Sequence, residues 1–415
     1  MRSHFGIKVA QHDRKDYTMK IDTGKGSIPL ISLIAIMSIS AIVSLPGLAV
    51  SPIMGELDKI FPKAGELEIE MLESLPSLMI IPFMLLTGHW SVRINKLRIL
   101  TIGTAIFFLC GVGCMFTRDI TWLIIIGGVM GIGAGMIIPL STGLIVDYFT
   151  GDNRVKQLGI SSAINNLTLV AATALAGYLA NKEWHLAFIV YLLPIVTLIA
   201  IPIIRRTPTT PEPEAGAQNR QKHINKSIIS KLMLLYFVIT YCSLVVTFNT
   251  SFIVEHSGMH PSVSGVIISL FFLAIMAPGF MLNTIVKIFG KQVNLWALVI
   301  MGVGLLIMSL RHNSAATLII GAVMSGIGYG VMQPIIYDKA ATNSPPHLAT
   351  LALSIIMAVN YLAILVAPFI IDGIDRLFDT SSSKFAFVFN GIITLLLAFI
   401  TLICYRRSRV LGSDD

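Results

Sequence analysis

The chain has 415 residues, of which 55% are hydrophobic and 13% are charged, whereas soluble domains carry about 25% charged residues. Its formal net charge is +8 at pH 7, a value that would suggest nucleic-acid binding in a soluble protein. The apolar composition excludes a soluble fold, so the basic excess needs another explanation.

Twelve apolar stretches, numbered here as spans 1 to 12, contain no Asp, Glu, Lys or Arg. A helix rises 1.5 Å per residue, so each stretch can cross most or all of a hydrocarbon core about 30 Å thick. The sequence therefore predicts an all-α membrane protein with twelve transmembrane helices. The stretches are residues 28–54, 74–90, 99–116, 120–146, 158–180, 186–204, 232–254, 263–286, 293–310, 315–337, 348–371 and 385–405.

The basic residues concentrate in alternate loops. With a cytoplasmic N-terminus, 23 of the 30 Lys and Arg residues fall in cytoplasmic segments, as the positive-inside rule requires. Both termini are therefore predicted to be cytoplasmic, and no nucleic-acid partner is expected. The predicted organisation is a tail without a signal-peptide cleavage site, two six-helix bundles joined by a flexible polar linker, and a second tail. These segments are residues 1–27, 28–204, 205–231, 232–405 and 406–415.

The second six spans repeat the first. Span 4 contains GGVMGIGAGMIIP and span 10 contains GAVMSGIGYGVMQP, and an offset of 195 residues aligns three glycines and a proline. The same offset carries Asn165 in span 5 onto Asn360 in span 11. Parallel repeats are one known transporter plan, with the substrate site near the midplane between the halves. The aligned residues are Gly131, Gly133, Gly135 and Pro139 in span 4, and Gly326, Gly328, Gly330 and Pro334 in span 10.

The repeated glycines define helix faces. Gly131 and Gly135 are one turn apart, as are Gly326 and Gly330, so each pair allows another backbone to approach closely. Two interpretations are open for these glycines and the prolines that follow them. They serve helix packing alone, or they line the cleft and allow spans 4 and 10 to move when the two halves rotate relative to each other.

These segments resemble the major facilitator superfamily. GIGAGMIIPLSTGLIVDYFTGDNR is similar to that family's fourth-span pattern, and LAVSPIMGELDKIF to the exit of its first helix. The drug:proton antiporter-like subgroup matches best by these pieces. The resemblance implies a two-bundle transporter fold but supports drug antiport only weakly, because several antiporter and loop positions depart from the pattern. Val92 replaces an acid, Asn95 replaces a glycine, Gly127 stands where an arginine is expected, and only Gly177 remains of the span 5 signature.

Polar groups inside the spans are the substrate-binding candidates, because an intramembrane amide must either bridge helices or face a wet cavity. Gln333 and Tyr337 share a face of span 10 with the glycines. Of the neighbours Asn165 and Asn166, only one is expected to face the cavity. The candidates are Asn165, Asn249, Gln333, Tyr337, Asn360 and Tyr361.

Candidate coupling groups lie at span edges. Glu73 is expected in the outer leaflet, where a partly buried carboxyl can carry a proton; the alternative is an acid favoured by a helix N-terminus. By resemblance to the family, Asp147 and Arg154 are expected to form a cytoplasmic charge lock with Arg93.

No Arg or Lys lies within a span, which disfavours anionic substrates because a desolvated anion needs a charge partner. We therefore predict a secondary active transporter of a small neutral or amphipathic organic solute in a bacterial cytoplasmic membrane. Export, with proton coupling as an option, is favoured over facilitated or proton-coupled uptake. A monomer without cofactor or metal is expected. A sensor with the same fold is the rival class, and an enzyme is not expected because HExxH, GxSxG and an intramembrane acid pair are absent.

Overall fold

The structure, a computed structural model, describes residues 20–48, 60–61, 66–180, 182–207, 224–257, 259, 262–310, 314–378 and 383–410. In these residues nine helical segments are long and apolar enough to cross a membrane, and one of them, Val263–Leu310, contains spans 8 and 9. Shorter apolar helices at Leu30–Ser40 and Leu75–Trp90 supply spans 1 and 2. The predicted all-α architecture with twelve spans is confirmed.

Most helices extend beyond the uncharged stretches that predicted them, because a helix can continue into water once it leaves the hydrocarbon. Span 5, for example, begins at Gly151 and includes the charged turn before the apolar stretch. The unbroken helices of spans 2 to 5 are Glu66–Trp90, Lys96–Phe116, Ile120–Tyr148 and Gly151–Ala180. Those of spans 7 to 12 are Lys226–His256, Ser262–Phe289, Val293–Leu310, Ala315–Thr342, Ala349–Leu377 and Ser383–Val410.

Span 1 is not the continuous helix predicted over 28–54. Its helix, Leu30–Ser40, ends in a turn that is followed by the short helix Leu45–Leu48. Pro46 explains the break, because proline has no N–H to donate and its ring clashes with the carbonyl four residues earlier. Span 6 is also divided, into a 3-10 helix, Trp184–Leu192, and the α-helix Pro194–Arg206.

The chain enters span 1 through a β-hairpin, which the prediction of a polar tail did not include. Strands β1 (Lys20–Asp22) and β2 (Ser27–Pro29) pair antiparallel, with Lys20 opposite Pro29. The carbonyl of Thr23 accepts a hydrogen bond of 2.9 Å from the backbone N–H of Thr150. The hairpin is therefore attached to the corner between spans 4 and 5.

The packing of the spans repeats between the halves. In the first half span 4 packs on spans 2 and 3, and span 3 on span 6; in the second, span 10 packs on spans 8 and 9, and span 9 on span 12. Between the halves, span 5 packs on span 8 and span 2 on span 11. Adding six to both numbers of a pair, and continuing from 12 to 1, gives its symmetry mate (5 with 8 becomes 11 with 2), as expected for two parallel repeats. A separate hydrophobic cluster fills each set of six spans.

The repeated glycines pack helices within each half. A Cβ built on Gly131 would lie 2.4 Å from the carbonyl oxygen of Pro76 in span 2. A Cβ on Gly330 would lie 2.2 Å from the carbonyl oxygen of Ile275 in span 8. Gly135 and Gly326 meet the same two neighbouring spans, so these faces point to the partner helix of the same half and away from the cleft. Pro139 and Pro334 are buried inside spans 4 and 10.

Candidate solute-binding site

A cavity of about 80 Å³ lies between the two halves, and its lining among the described residues contains no Asp, Glu, His, Lys or Arg. The first half contributes mainly hydroxyls, whereas the second half contributes amides and phenols. Five of the six predicted binding residues line it. The first half supplies Ser40, Val43, Ser44, Ile138, Ser141, Thr142, Leu158, Ser161, Ser162 and Asn165; the second supplies Gln333, Tyr337, Met357, Asn360 and Tyr361.

Gln333 is the centre of one hydrogen-bond network. Its Nε2 donates to the hydroxyl oxygens of Tyr236 at 3.1 Å and Tyr337 at 3.3 Å, and these two phenols are 2.7 Å apart. Its Oε1 accepts from Ser162 Oγ at 3.0 Å. Because Ser162 belongs to span 5, this amide joins the two halves at the cavity, and its contacts must change when the halves separate there.

Asn360 is the centre of a second network, within the second half. Its Nδ2 donates to Thr240 Oγ1 at 2.9 Å and to the hydroxyl oxygen of Tyr329 at 3.1 Å. The Thr240 and Tyr329 hydroxyls are themselves 3.4 Å apart. Both amide hydrogens of Asn360 therefore have acceptors, and the side chain is held in a defined orientation at the cavity wall.

Asn165, the repeat counterpart of Asn360, lacks such a network. Its Oδ1 is buried and has no hydrogen-bond partner in the part of the chain that the structure describes. A buried acceptor left without a donor costs about 1–3 kcal/mol, so a solute that donates a hydrogen bond would relieve this cost. The neighbouring Asn166 donates through Nδ2 to the Ser162 carbonyl of its own helix at 2.8 Å.

Asn249 is the predicted binding residue that the structure does not bring to this cavity. It is buried in span 7, and its side chain is not part of the lining. The side chain of Glu73 lies outside the described residues. Tyr236, Thr240 and Tyr329, which hold Gln333 and Asn360, were not among the predicted residues. Their spacing could have indicated them. Tyr236 and Thr240 are four residues apart in span 7, and Tyr329 and Gln333 are four residues apart in span 10, so each pair lies on one polar helix face.

Two partly buried ion pairs lie at the end of the bundle that carries the interspan linker, called the linker end below. Lys96 Nζ lies 2.6 Å from Asp147 Oδ2, joining spans 3 and 4. Arg154 Nε lies 2.6 Å from Asp338 Oδ1 and joins span 5 of the first half to span 10 of the second. Arg93, in contrast, is exposed.

The expected charge lock of Asp147 with Arg93 and Arg154 is therefore wrong in its partners. Residues 91–94 form a turn, and Asn95 caps span 3 by accepting a 2.9 Å hydrogen bond from the backbone N–H of Leu97. This capping makes Lys96 the first helical residue of span 3, where its ammonium reaches the end of span 4. Lys25 of the hairpin also reaches Asp147, donating to its carbonyl oxygen at 2.7 Å.

Glycines that leave no room for a side chain complete the contact between the halves at the linker end. A Cβ built on Gly159 of span 5 would lie 2.5 Å from the carbonyl oxygen of Gly279 in span 8. A Cβ on Gly143 of span 4 would lie 2.6 Å from Thr350 Oγ1 in span 11. Together with the pair between Arg154 and Asp338, these contacts close the bundle at its linker end.

Known proteins resemble this chain in short segments of sequence. Multidrug transporter protein MdtP of Bacillus subtilis (strain 168) is 30% identical over 149 residues, which are 36% of this chain and 25% of MdtP. Probable multidrug resistance protein EmrY of Escherichia coli (strain K12) is 28% identical over 105 residues, 25% of this chain and 20% of EmrY. The chain thus spans about a quarter of the length of these curated relatives. They are named as transport or resistance proteins, in agreement with the expectation that the chain is not an enzyme.

The fold resembles solved transporters over nearly its whole length. The proton:xylose symporter XylE superposes with a TM-score of 0.71 at 13% identity, covering 90% of this chain and 95% of XylE. The human organic anion transporter MFSD10 gives a TM-score of 0.70 at 15% identity, covering 90% of this chain and 98% of MFSD10. A sequence model of the Major Facilitator Superfamily matches residues 30–368 and 232–414. Because this match covers most of the chain, the protein belongs to the major facilitator superfamily.

Proposed function

We propose that the protein is a secondary active transporter that moves a small neutral or amphipathic organic solute by alternating access. The observation that carries this proposal is the cavity between the halves, whose polar lining groups, as far as the chain is described, are uncharged hydroxyls, amides and phenols. A charged solute held at this depth would need a charge partner. Neutral donors and acceptors instead suit a solute that combines an apolar body with a few hydrogen-bonding groups.

The size of the cavity supports a mechanism in which the halves move. Its volume of about 80 Å³ is far below the roughly 300–1,000 Å³ of sites that enclose drug-sized ligands. A solute of that size can enter only if spans of opposite halves separate around Ser162 and Gln333. Closure at the linker end by Arg154 and Asp338 then represents one of the two states that alternating access requires.

Export from a bacterial cytoplasmic membrane, with proton coupling, is the direction that we propose. The short matches to proteins named as a multidrug transporter and a probable multidrug resistance protein support export, and Glu73 stays the candidate proton carrier. Uptake of a metabolite through the same cavity is the alternative, supported by a 24% match over 123 residues to the Niacin transporter NiaP of Acinetobacter baylyi (strain ATCC 33305 / BD413 / ADP1). A monomer with a cytoplasmic linker end is part of the proposal.

A thermal-stability screen of the purified protein against metabolites, dyes and antibiotics tests this function. A ligand present at 100 times its dissociation constant should add about 2.7 kcal/mol to the free energy of unfolding, if it binds only the folded state. Asn360→Leu should remove this stabilisation and abolish transport while leaving membrane insertion intact. The matched control is Asn294→Leu, the same exchange in span 9 outside the cavity lining; it should keep the stabilisation.

Two results would contradict the proposal. Stabilisation that survives in Asn360→Leu would show that the solute binds elsewhere and that Asn360 only packs helices. A response confined to multiply charged anions would contradict the neutral or amphipathic substrate class. Flux of the stabilising compound into or out of proteoliposomes, with and without a pH gradient, then separates export from uptake and coupled from facilitated transport.

A further inference from the structure

A second pocket lies between spans 3 and 6 at the linker end, remote from the central cavity. Its volume is about 310 Å³, and it is lined by Leu97, Arg98, Thr101, Ile102, Ile201 and Arg205. Ile102 is 54% exposed, and on a membrane span an exposed isoleucine faces lipid. The pocket therefore opens to the bilayer, and the solute path proposed above does not include it.

Two arginines form the polar side of this pocket. Arg98 is in the first turn of span 3 and Arg205 in the last turn of span 6, so both lie where hydrocarbon meets the headgroup layer. No carboxylate among the described residues is within ion-pair distance of either guanidinium. The hydroxyl of Thr101 donates to the Leu97 carbonyl at 2.7 Å. The two guanidiniums are thus the charged donors that the pocket offers to a ligand.

The lining has the polarity profile of a phospholipid. Its charged groups lie at the ends of spans 3 and 6, whereas Ile102 and Ile201 lie about one turn farther into these spans. On helices that cross a membrane, these positions correspond to the headgroup layer and to the first acyl carbons. Arginine binds phosphate oxygens through paired N–H donors, and basic pockets between spans on the cytoplasmic side suit anionic headgroups. A zwitterionic lipid is less suitable because its cationic headgroup would be held near two guanidiniums.

We propose that the pocket between spans 3 and 6 binds an anionic phospholipid of the leaflet at the linker end. The phosphate lies between Arg98 and Arg205, and one acyl chain begins against Ile102 and Ile201. Nothing in this proposal depends on the solute that the central cavity takes, because the two sites share no lining residue.

The test is a lipid titration of the purified full-length chain in detergent, with dioleoyl phosphatidylglycerol compared against dioleoyl phosphatidylcholine. Native mass spectrometry gives the affinity of each lipid. One cation near a membrane surface contributes about fivefold in affinity for anionic lipid. Arg98→Gln and Arg205→Gln should therefore each weaken phosphatidylglycerol binding by about fivefold, and the double variant by about 25-fold. Arg206→Gln, which removes an exposed neighbouring charge outside the pocket, should leave binding unchanged.

Three outcomes would overturn the proposal. The first is equal affinity for the two lipids in the wild-type chain. The second is unchanged phosphatidylglycerol binding in the double glutamine variant. The third is displacement of the lipid by glycerol 3-phosphate at equal concentration, which would show a site for a free anion. If the double glutamine variant does not fold, the single variants Arg98→Gln and Arg205→Gln decide the question, and unchanged phosphatidylglycerol binding in both overturns the proposal.

Discussion

Removing the ion pair between Arg154 and Asp338 should open the linker end of the bundle. Arg154 Nε lies 2.6 Å from Asp338 Oδ1, and its Nη2 donates to Thr342 Oγ1 at 2.9 Å. These contacts join span 5 to span 10, so they exist only while the halves meet at this end. Arg154→Gln therefore weakens the closed state selectively and should shift the population toward the state that is open at the linker end.

The size of the shift follows from the burial of the pair. The two side chains are 14% and 21% exposed, so they are only partly screened, and a hydrogen bond to a charged group contributes about 1.5–3 kcal/mol. The closed-to-open ratio should fall by roughly 10- to 150-fold, since a tenfold change corresponds to about 1.4 kcal/mol. The pair Lys287 with Asp152 also joins the halves, but it is 3.6 Å long and 66% and 72% exposed. Such a pair contributes about 0–1 kcal/mol.

Distances between spin labels on Lys156 and Lys291, in a background without the native cysteines, report the opening because both residues are exposed and belong to opposite halves. Arg154→Gln should enlarge the long-distance population, and the charge exchange of Arg154→Asp with Asp338→Arg should reverse the change. Lys287→Gln is the matched control and should have little effect. An unchanged distance distribution in Arg154→Gln, or an equal change in the control, would refute the role of this pair as a gate.

Three further changes test packing, the hairpin and coupling. Gly330→Val should lower the free energy of unfolding by about 1–3 kcal/mol, because its Cβ would lie 2.2 Å from the Ile275 carbonyl oxygen. Gly265→Val is the control, since a Cβ at Gly265 has no atom within 4 Å. Equal melting temperatures of the two variants would contradict this packing. Gly24 has a φ of +84°, and Gly24→Ala would place a residue with a Cβ in this conformation at a cost of about 1–2 kcal/mol. Hydrogen exchange of the hairpin amides should therefore accelerate. Unchanged exchange rates would disprove the strain. Glu73→Gln should abolish the pH dependence of transport, and an unchanged pH profile would eliminate Glu73 as the proton carrier.

Much of the architecture was predictable because it depends on local chemistry. An uncharged stretch of some twenty residues can satisfy its backbone in lipid only as a helix. The repeat offset identified Asn165 and Asn360 as equivalent positions, and both line the cavity. The break in span 1 was also encoded locally, in Pro46, although an apolar stretch alone does not reveal it.

The partners of the polar groups were decided by tertiary structure. Tyr236 meets Gln333 across 97 positions of sequence, and whether two spans bring such groups together depends on their rotation and crossing, which hydropathy does not encode. For the same reason Asn249 and Asn360, both mid-span amides, lie in different surroundings. Lys96 binds Asp147 where Arg93 was expected, because the helix of span 3 begins at Lys96 and leaves Arg93 in the preceding exposed turn. Local composition determines which segments cross the membrane, whereas the packing of the twelve helices determines which of their few polar side chains form a site.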